Sequence, residues 1–366
     1  MKIVIAPDSF KESMSAPQAA RAIERGLRAV TSDTCHIVPM SDGGEGFLDA
    51  LAVALDAERR EVDTIDCLGR PIRAQIGVAG PLAIIETSRS CGLDLIPSSE
   101  RDIRRADTRG VGQLMRAALD AGAQRLLVGI GGSATNDGGA GMLTALGARF
   151  LDSSGEELEP NPDGLARLAT VDTTGVDSRL AKVEIQVACD VTNPLLGSEG
   201  AAAIYGPQKG ASTADVEFLD GVLDRLATCW DRERAERDGA GAAGGLGYAL
   251  IMLGAQLRPG FDLVAEAVGL RELVADADLV ITGEGKMDGQ TLRGKVPAGV
   301  LGLAGSTPVI ALAGSIEDEE ALYRAGFVAL IPLQRGPGDL EEALAAGEGN
   351  ATRAAEMMMR LALLRL

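Results

Sequence analysis

Five short apolar runs constrain the fold more than any other feature of this chain. Lys2-Ile3-Val4-Ile5-Ala6, His36-Ile37-Val38, Asp278-Leu279-Val280-Ile281, Pro308-Val309-Ile310-Ala311-Leu312 and Phe327-Val328-Ala329-Leu330-Ile331 each run straight into a polar, proline- or glycine-bearing turn. Unbroken β-branched runs of this length suit strands buried on both faces, as in a parallel sheet. Helical stretches separate them. Ser15 with Gln18 predicts a capping box, and Ala19, Ile23, Leu27 and Val30 follow at helical spacing. Residues 296–304, 317–325 and 350–365 read as further helices, with Asn350 expected to cap the last. Two β-α steps precede residue 60 and three follow residue 275, which predicts an α/β fold with one doubly wound parallel sheet, flavodoxin- or Rossmann-like.

The middle of the chain has a different pattern. Residues 59–88 alternate short strands with the turns Leu68-Gly69-Arg70-Pro71 and Gly80-Pro81, as a meander does. The expected organisation is therefore a discontinuous parallel domain, residues 1–60 plus 271–366, with a second, mixed α/β domain inserted at 61–270. A length of 366 residues suits two domains. With aromatic residues at only 3%, the cores must be built from Val, Ile, Leu and Ala.

Composition narrows the partners. A net charge of −18 argues against nucleic acid or an anionic membrane surface, both of which need a basic field. No run of 18 apolar residues is present to span a bilayer. The opening MKIVIAPDSFKES reads as a first strand and not as a signal peptide. Cys35, Cys67, Cys91, Cys189 and Cys229 are odd in number and contain no C-x-x-C, which suits a reducing cytoplasm and neither a disulfide frame nor a zinc site. His36 is the only histidine and sits in an expected strand, so histidine-based nucleophilic catalysis has no ready base.

Chemistry concentrates in the turns that follow the strands, where ligands bind in parallel α/β sheets. Asp8-Ser9-Phe10-Lys11, Ser41-Asp42-Gly43-Gly44-Glu45-Gly46, Gly283-Glu284-Gly285-Lys286-Met287-Asp288-Gly289 and Gly314-Ser315 share one expected rim. Of only six lysines, Lys11, Lys209, Lys286 and Lys295 lie in or beside such turns, as compact charges suited to phosphate or carboxylate. In the inserted domain, Arg125-Leu126-Leu127-Val128 leads into Gly129-Ile130-Gly131-Gly132-Ser133-Ala134-Thr135-Asn136-Asp137-Gly138-Gly139. This contains G-x-G-x-x-A, with Asp152 23 residues beyond Gly129. A dinucleotide fingerprint would want an apolar helix where Asn136-Asp137-Gly138-Gly139 stands, so a polar anion cradle fits better. Asp190 follows another strand, and Gly206-Pro207-Gln208-Lys209-Gly210 and a glycine run at 239–247, expected to open a helix at Tyr248, complete the set. There is no G-x-x-x-x-G-K-[ST].

The segments Ala6 to Ser13, Asp42 to Gly46, Gly129 to Gly141, Ala188 to Pro194, Gly206 to Gly210 and Gly283 to Thr291, in this order, resemble the bacterial glycerate kinase family, of the glycerate kinase I type, from residue 1 to about 350. The resemblance implies ATP-dependent phosphorylation of D-glycerate with Mg²⁺, 2-phosphoglycerate being the favoured product, in the cleft between two domains of a cytoplasmic enzyme. It leaves the oligomeric state open, and either domain could take the adenine.

Transfer of this kind needs a carboxylate to take the hydroxyl proton where no histidine serves, and Asp190 is the expected base, with Asp42 and Asp8 as alternatives. Lys11 and Lys286 join it as catalytic candidates. Asp8, Ser9, Lys11 and Glu284 are expected to bind substrate. The N–H groups of Gly131, Gly132 and Ser133, with Thr135, Asn136 and Lys209, are expected to hold the nucleotide. Asp42 and Asp288 are the candidates for Mg²⁺, which prefers one or two carboxylates plus phosphate and water. Family members often carry an aromatic residue where this chain has Arg109. The other readings are a nicotinamide-dependent hydroxy-acid oxidoreductase and a non-catalytic sensor of small acids.

Overall fold

A computed structural model describes residues 1–334, 336 and 338–364. Its strands are β1 (Lys2–Ile5), β2 (Thr34–Ile37), β3 (Glu58–Ile65), β4 (Pro71–Ala79), β5 (Leu82–Glu86), β6 (Arg125–Gly129), β7 (Arg149–Leu151), β8 (Thr170–Asp172), β9 (Glu184–Ala188), β10 (Gln256–Arg258), β11 (Leu279–Met287), β12 (Val309–Ile316) and β13 (Ala329–Pro332). The chain forms two compact units: Met1–Asp42 with Asp49–Ala57 and Phe261–Leu366, and Gly43–Leu48 with Glu58–Gly260. Among the described residues, no helix is long and apolar enough to cross a membrane.

The first unit is a five-stranded sheet in the order β13-β12-β11-β1-β2, every pairing parallel. Numbered within the unit, that is the flavodoxin-like order 2-1-3-4-5. The chain moves outward one way from β1 to β2, then returns to the other side of β1 and moves outward through β11, β12 and β13. The reversal leaves a crevice at the carboxyl ends of β1 and β11, the place where such sheets bind ligands. Ile3, Ile5, Ile281 and Leu312 fill the core beneath it.

The helix Ala16–Arg28 opens with the expected capping box. The Ser15 hydroxyl accepts the Gln18 N–H, and the Gln18 side-chain oxygen accepts the Ser15 N–H at 2.8 Å. Its buried face, with Ala19, Ile23 and Leu27, packs beside the helix Gly347–Ala362. Asn350 does not cap that last helix. The preceding segment Leu340–Ala345 is itself helical, so the chain enters the final helix already turning, and Asn350 lies inside it and accepts from Arg353. Arg365, the end of the expected helix, lies outside the described residues.

The second unit carries a six-stranded sheet in the order β10-β9-β6-β5-β4-β3. From β10 to β5 the strands are parallel, and β5, β4 and β3 form the antiparallel meander read from residues 59–88. A small hairpin, β7 with β8, stands apart from it. Leu126, Val128, Leu143, Phe150 and Leu226 are among its buried core.

The units divide at other points than the expected 60/61 and 270/271. Strand β3 begins at Glu58, paired with Val78, so residues 58–60 go with the second unit. Phe261 packs on Gly299, where an added Cβ would meet its ring at 2.4 Å, and residues 261–270 go with the first. Gly43–Leu48 joins the second unit through contacts described below.

Gly26 is a point of close approach between the helices Ala16–Arg28 and Gly347–Ala362, since a Cβ there would lie 2.0 Å from the Thr352 carbonyl oxygen and 2.9 Å from Ala355 Cβ. Gly26→Ala is expected to destabilise the protein by about 3 kcal/mol, the range for forced overpacking, read as a lower urea midpoint with unchanged slope.

Candidate active site

On the first unit the carboxyl ends of β1 and β11 bring three carboxylates together. The Asp8 N–H donates to the Gly283 carbonyl at 2.8 Å, and Met40 N–H donates to the Pro7 carbonyl at 2.9 Å, so the turn after β1 is stitched to the strand ends on both sides. Asp8 is half-buried there and also takes the Ser9 N–H at 2.7 Å. Burial, and then the nearby Asp42 carboxylate, push its carboxyl up to about 7. Glu284 is buried next to it on β11, accepts the Thr291 hydroxyl at 2.6 Å and pairs with Lys295 at 3.3 Å. Burial raises its carboxyl as well. Lys295 counters both groups.

The remaining rim residues divide by their partners. Lys11 is exposed and makes no ion pair among the described residues. Lys286 is exposed and held by Glu317 at 3.0 Å, which raises its ammonium, and it lies 3.7 Å from Asp288. Asp288 is taken up by its own turn. It accepts the Gln290 N–H at 2.8 Å, while its own N–H donates to the Thr291 hydroxyl at 3.0 Å. Among the described residues, no group of three or more His, Cys, Asp or Glu side chains is arranged to hold a metal.

On the second unit a second set of strand ends is aligned. Glu86, Gly129 and Ala188 end β5, β6 and β9 and lie in one register row. The segment Gly43–Leu48 lies across this row. A Cβ on Gly43, whose φ is +95°, would fall 2.4 Å from Ala188 Cβ. One on Gly131 would fall 2.8 Å from Gly44 Cα, and one on Gly129 would fall 2.9 Å from the Gly43 oxygen. Gly46 and Leu48 donate their N–H groups to Glu86 at 3.2 and 2.9 Å. These contacts move the glycines of the Asp42-Gly43-Gly44-Glu45-Gly46 motif from the first rim, where the sequence pattern puts them, to the second unit. Asp42 stays with the first.

The glycine-rich loop after β6 is held from beneath. Lys209 is buried and donates to the Ser133 hydroxyl at 3.0 Å and the Thr135 carbonyl at 2.7 Å. Burial pulls its ammonium down to about 8. The Gly131 N–H donates to the Gly43 carbonyl at 3.3 Å and so is engaged within the unit. Asn136 is fully buried, and both polar atoms of its amide lack a partner. Such groups are ordinarily satisfied by water or a ligand, which fits a phosphate-bearing ligand at this loop. Asp137 takes N–H or hydroxyl bonds from Thr108, Gly139 and Gly141. The next helix begins only at Ala140, so Gly129-Ile130-Gly131 does not open a helix as a dinucleotide fingerprint must. Asp190 is exposed at the end of β9 and accepts the Gly260 N–H at 2.9 Å. The glycine run at 239–247 turns through left-handed Ala243, Gly244 and Gly245, so regular helix starts at Leu246 and not at Tyr248.

A sequence model of the glycerate kinase family matches residues 3–363. Glycerate kinase of Bacillus subtilis (strain 168) is 48% identical, over 99% of this chain and 96% of its own. Glycerate 2-kinase of Escherichia coli (strain K12) is 44% identical, over 97% and 96%. A crystal structure assigned to glycerate kinase 2 of Salmonella typhimurium LT2 superposes with a TM-score of 0.88 at 44% identity, covering 99% of this chain and 97% of that one. The chain belongs to the glycerate kinase family.

In this family member Arg109 is engaged locally, pairing with buried Asp107 at 2.8 Å and with Glu159 at 3.3 Å. Glu86 is the residue here that the motif reading passed over, and Lys295 was read as a lysine beside a turn without a role of its own. Lys295 had the same signal as the others, a rare lysine beside a turn. Glu86 had a fainter one, a single acid closing the apolar run Leu82–Ile85.

The raised Asp8 carboxyl gives a signed stability prediction. A carboxyl whose folded pKa lies near 7 favours folding when protonated, so its ionisation penalises the folded state above about pH 7, and the penalty fades as pH falls towards the unfolded value near 4. Asp8→Asn is expected to raise the thermal midpoint above the parent's at pH 8, with the difference gone at pH 4, in melts followed by circular dichroism.

Proposed function

We propose that this protein phosphorylates D-glycerate with ATP, giving 2-phosphoglycerate and ADP. The full-length match to glycerate kinases, one of them named glycerate 2-kinase, carries the reading. The first unit supplies the acceptor site. Lys11, an exposed cation without an ion pair among the described residues of a chain of net charge −18, holds the glycerate carboxylate together with Ser9. Asp8 and Glu284 fix the hydroxyl groups. The second unit supplies the nucleotide site, with Gly132, Ser133, Thr135 and Asn136 around the phosphates and Lys209 setting the shape of their loop. Lys286 acts on the transferring phosphoryl group.

Transfer needs the donor phosphorus and the acceptor oxygen in line and shielded from water, so the two ligand sets meet during turnover. Asp190 takes the proton of the attacking hydroxyl. That oxygen bonds to the γ-phosphorus as the bond to the β-phosphate oxygen breaks and ADP leaves. Asp42 and Asp288 would hold Mg²⁺, which when bound would supply charge neutralisation on the phosphate oxygens.

Proton-coupled phosphorus NMR of the product tests this. A phosphate on carbon 2 couples to one proton and appears as a doublet, whereas one on carbon 3 couples to two and appears as a triplet. A doublet is expected. A triplet would move the transfer to the terminal hydroxyl, and no new ester resonance would leave a non-catalytic binder. Lys11→Ala should lower kcat/KM for glycerate at least ~100-fold, a loss of roughly 3 kcal/mol of transition-state binding.

A further inference from the structure

Glu86 is a buried carboxylate outside every role assigned above. It is 2% exposed, at the end of β5 in the register row with Gly129 and Ala188. Its Oε1 accepts the Gly46 N–H at 3.2 Å and the Ser88 hydroxyl at 2.7 Å, with the Arg89 guanidinium at 3.5 Å, and its Oε2 accepts the Leu48 N–H at 2.9 Å. A buried carboxylate is tolerated only when its oxygens are satisfied in this way.

The two backbone donors belong to the start of the helix Phe47–Ala54, where N–H groups have no partner within the helix. Glu86 therefore acts as an N-terminal cap supplied by a different element, with its charge placed favourably for the helix dipole. The stretch it anchors, Gly43-Gly44-Glu45-Gly46, has no apolar side chain of its own to hold it down. Its glycines touch the row by backbone alone. The residue joined to it by the next peptide bond is Asp42.

We propose that Glu86 is a positioning residue for phosphoryl transfer: by clamping Gly43–Leu48 onto the ends of β5, β6 and β9, it fixes the attitude at which Asp42 is presented to the reaction. The proposal rests on the functional role given to Asp42 above. Stabilisation alone would make Glu86 matter equally whatever stands at position 42. Positioning makes its effect depend on Asp42.

A double-mutant cycle separates the two. Steady-state kinetics with D-glycerate, ATP and Mg²⁺ are measured for the parent, Glu86→Gln, Asp42→Asn and the double variant, with circular dichroism melts as the control for folding. Glu86→Gln keeps the shape and one carbonyl oxygen but cannot accept at both ends. Its kcat is expected to fall at least ~10-fold with KM for ATP within ~3-fold, and the double variant to be within ~2-fold of Asp42→Asn, the non-additivity of residues that act as one unit. Ser88→Ala, at a partly exposed position, removes one donor to the carboxylate. It is expected to lower kcat ~3-fold in the parent and not at all in Asp42→Asn, and it decides the question by the same criterion if Glu86→Gln does not fold. Parent-like kinetics in both variants, or effects that multiply with Asp42→Asn, would overturn the proposal. Parent-like kinetics in Asp42→Asn itself would instead overturn the role of Asp42, and the positioning role with it.

Discussion

The second unit depends on a backbone approach that no Cβ permits. Gly43 and Gly44 lie on the ends of β6 and β9 at distances where side chains at Gly43, Gly129 or Gly131 would overlap neighbouring atoms. Interiors pack at crystal-like density, so such an overlap displaces backbone and does not merely crowd a rotamer. The approach brings together three segments of the second unit that are far apart in sequence: the turn Gly43-Gly44-Glu45-Gly46, the loop after Gly129 and the strand leading to Asp190. Glu86 then holds the approach in place with two backbone hydrogen bonds. Lys209 does the same for the loop from its buried side.

Electrostatics on the first unit follow from topology. The strand order places the reversal between β1 and β11, with Asp8 just past the end of β1 and Glu284 on β11 itself. Burial raises both carboxyls, the neighbouring Asp42 and Glu284 carboxylates raise Asp8 further, and Lys295 opposes both shifts. In a chain of net charge −18, an anionic substrate needs a local cation. Lys286 and Lys295 have carboxylate partners, whereas Lys11 has no ion pair among the described residues.

The parallel sheet and the meander were legible because burial writes itself into hydrophobic period. Lys2–Ile5 and Leu279–Ile281 could only be two-sided strands, and the alternation around Gly69 and Gly80 could only be a hairpin series. The domain assignment of Gly43–Leu48 was not legible. Its pattern shows a glycine turn after a strand, and nothing in that pattern says which sheet the turn will lie against. Asn350 misled for a related reason: a good capping residue has no cap to make when the chain before it is already helical. The lysines were informative because they are scarce. Which of them stay unpaired depended on Glu317 and Glu284, whose partners are set by tertiary packing.

The close approach of Gly43 to Ala188 is tested most directly by restoring the space it needs. Gly43→Ala places a methyl group against Ala188 Cβ, and Ala188→Gly removes the atom it meets. The account predicts that Gly43→Ala lowers kcat/KM at least ~100-fold and that adding Ala188→Gly recovers at least ~10-fold, since relieving an overpacked contact returns about 1–3 kcal/mol. Recovery remains incomplete because alanine is still strained at a φ of +95°. Near-parent activity in Gly43→Ala, or a loss that Ala188→Gly leaves unchanged, would contradict the claim that this backbone contact builds the site.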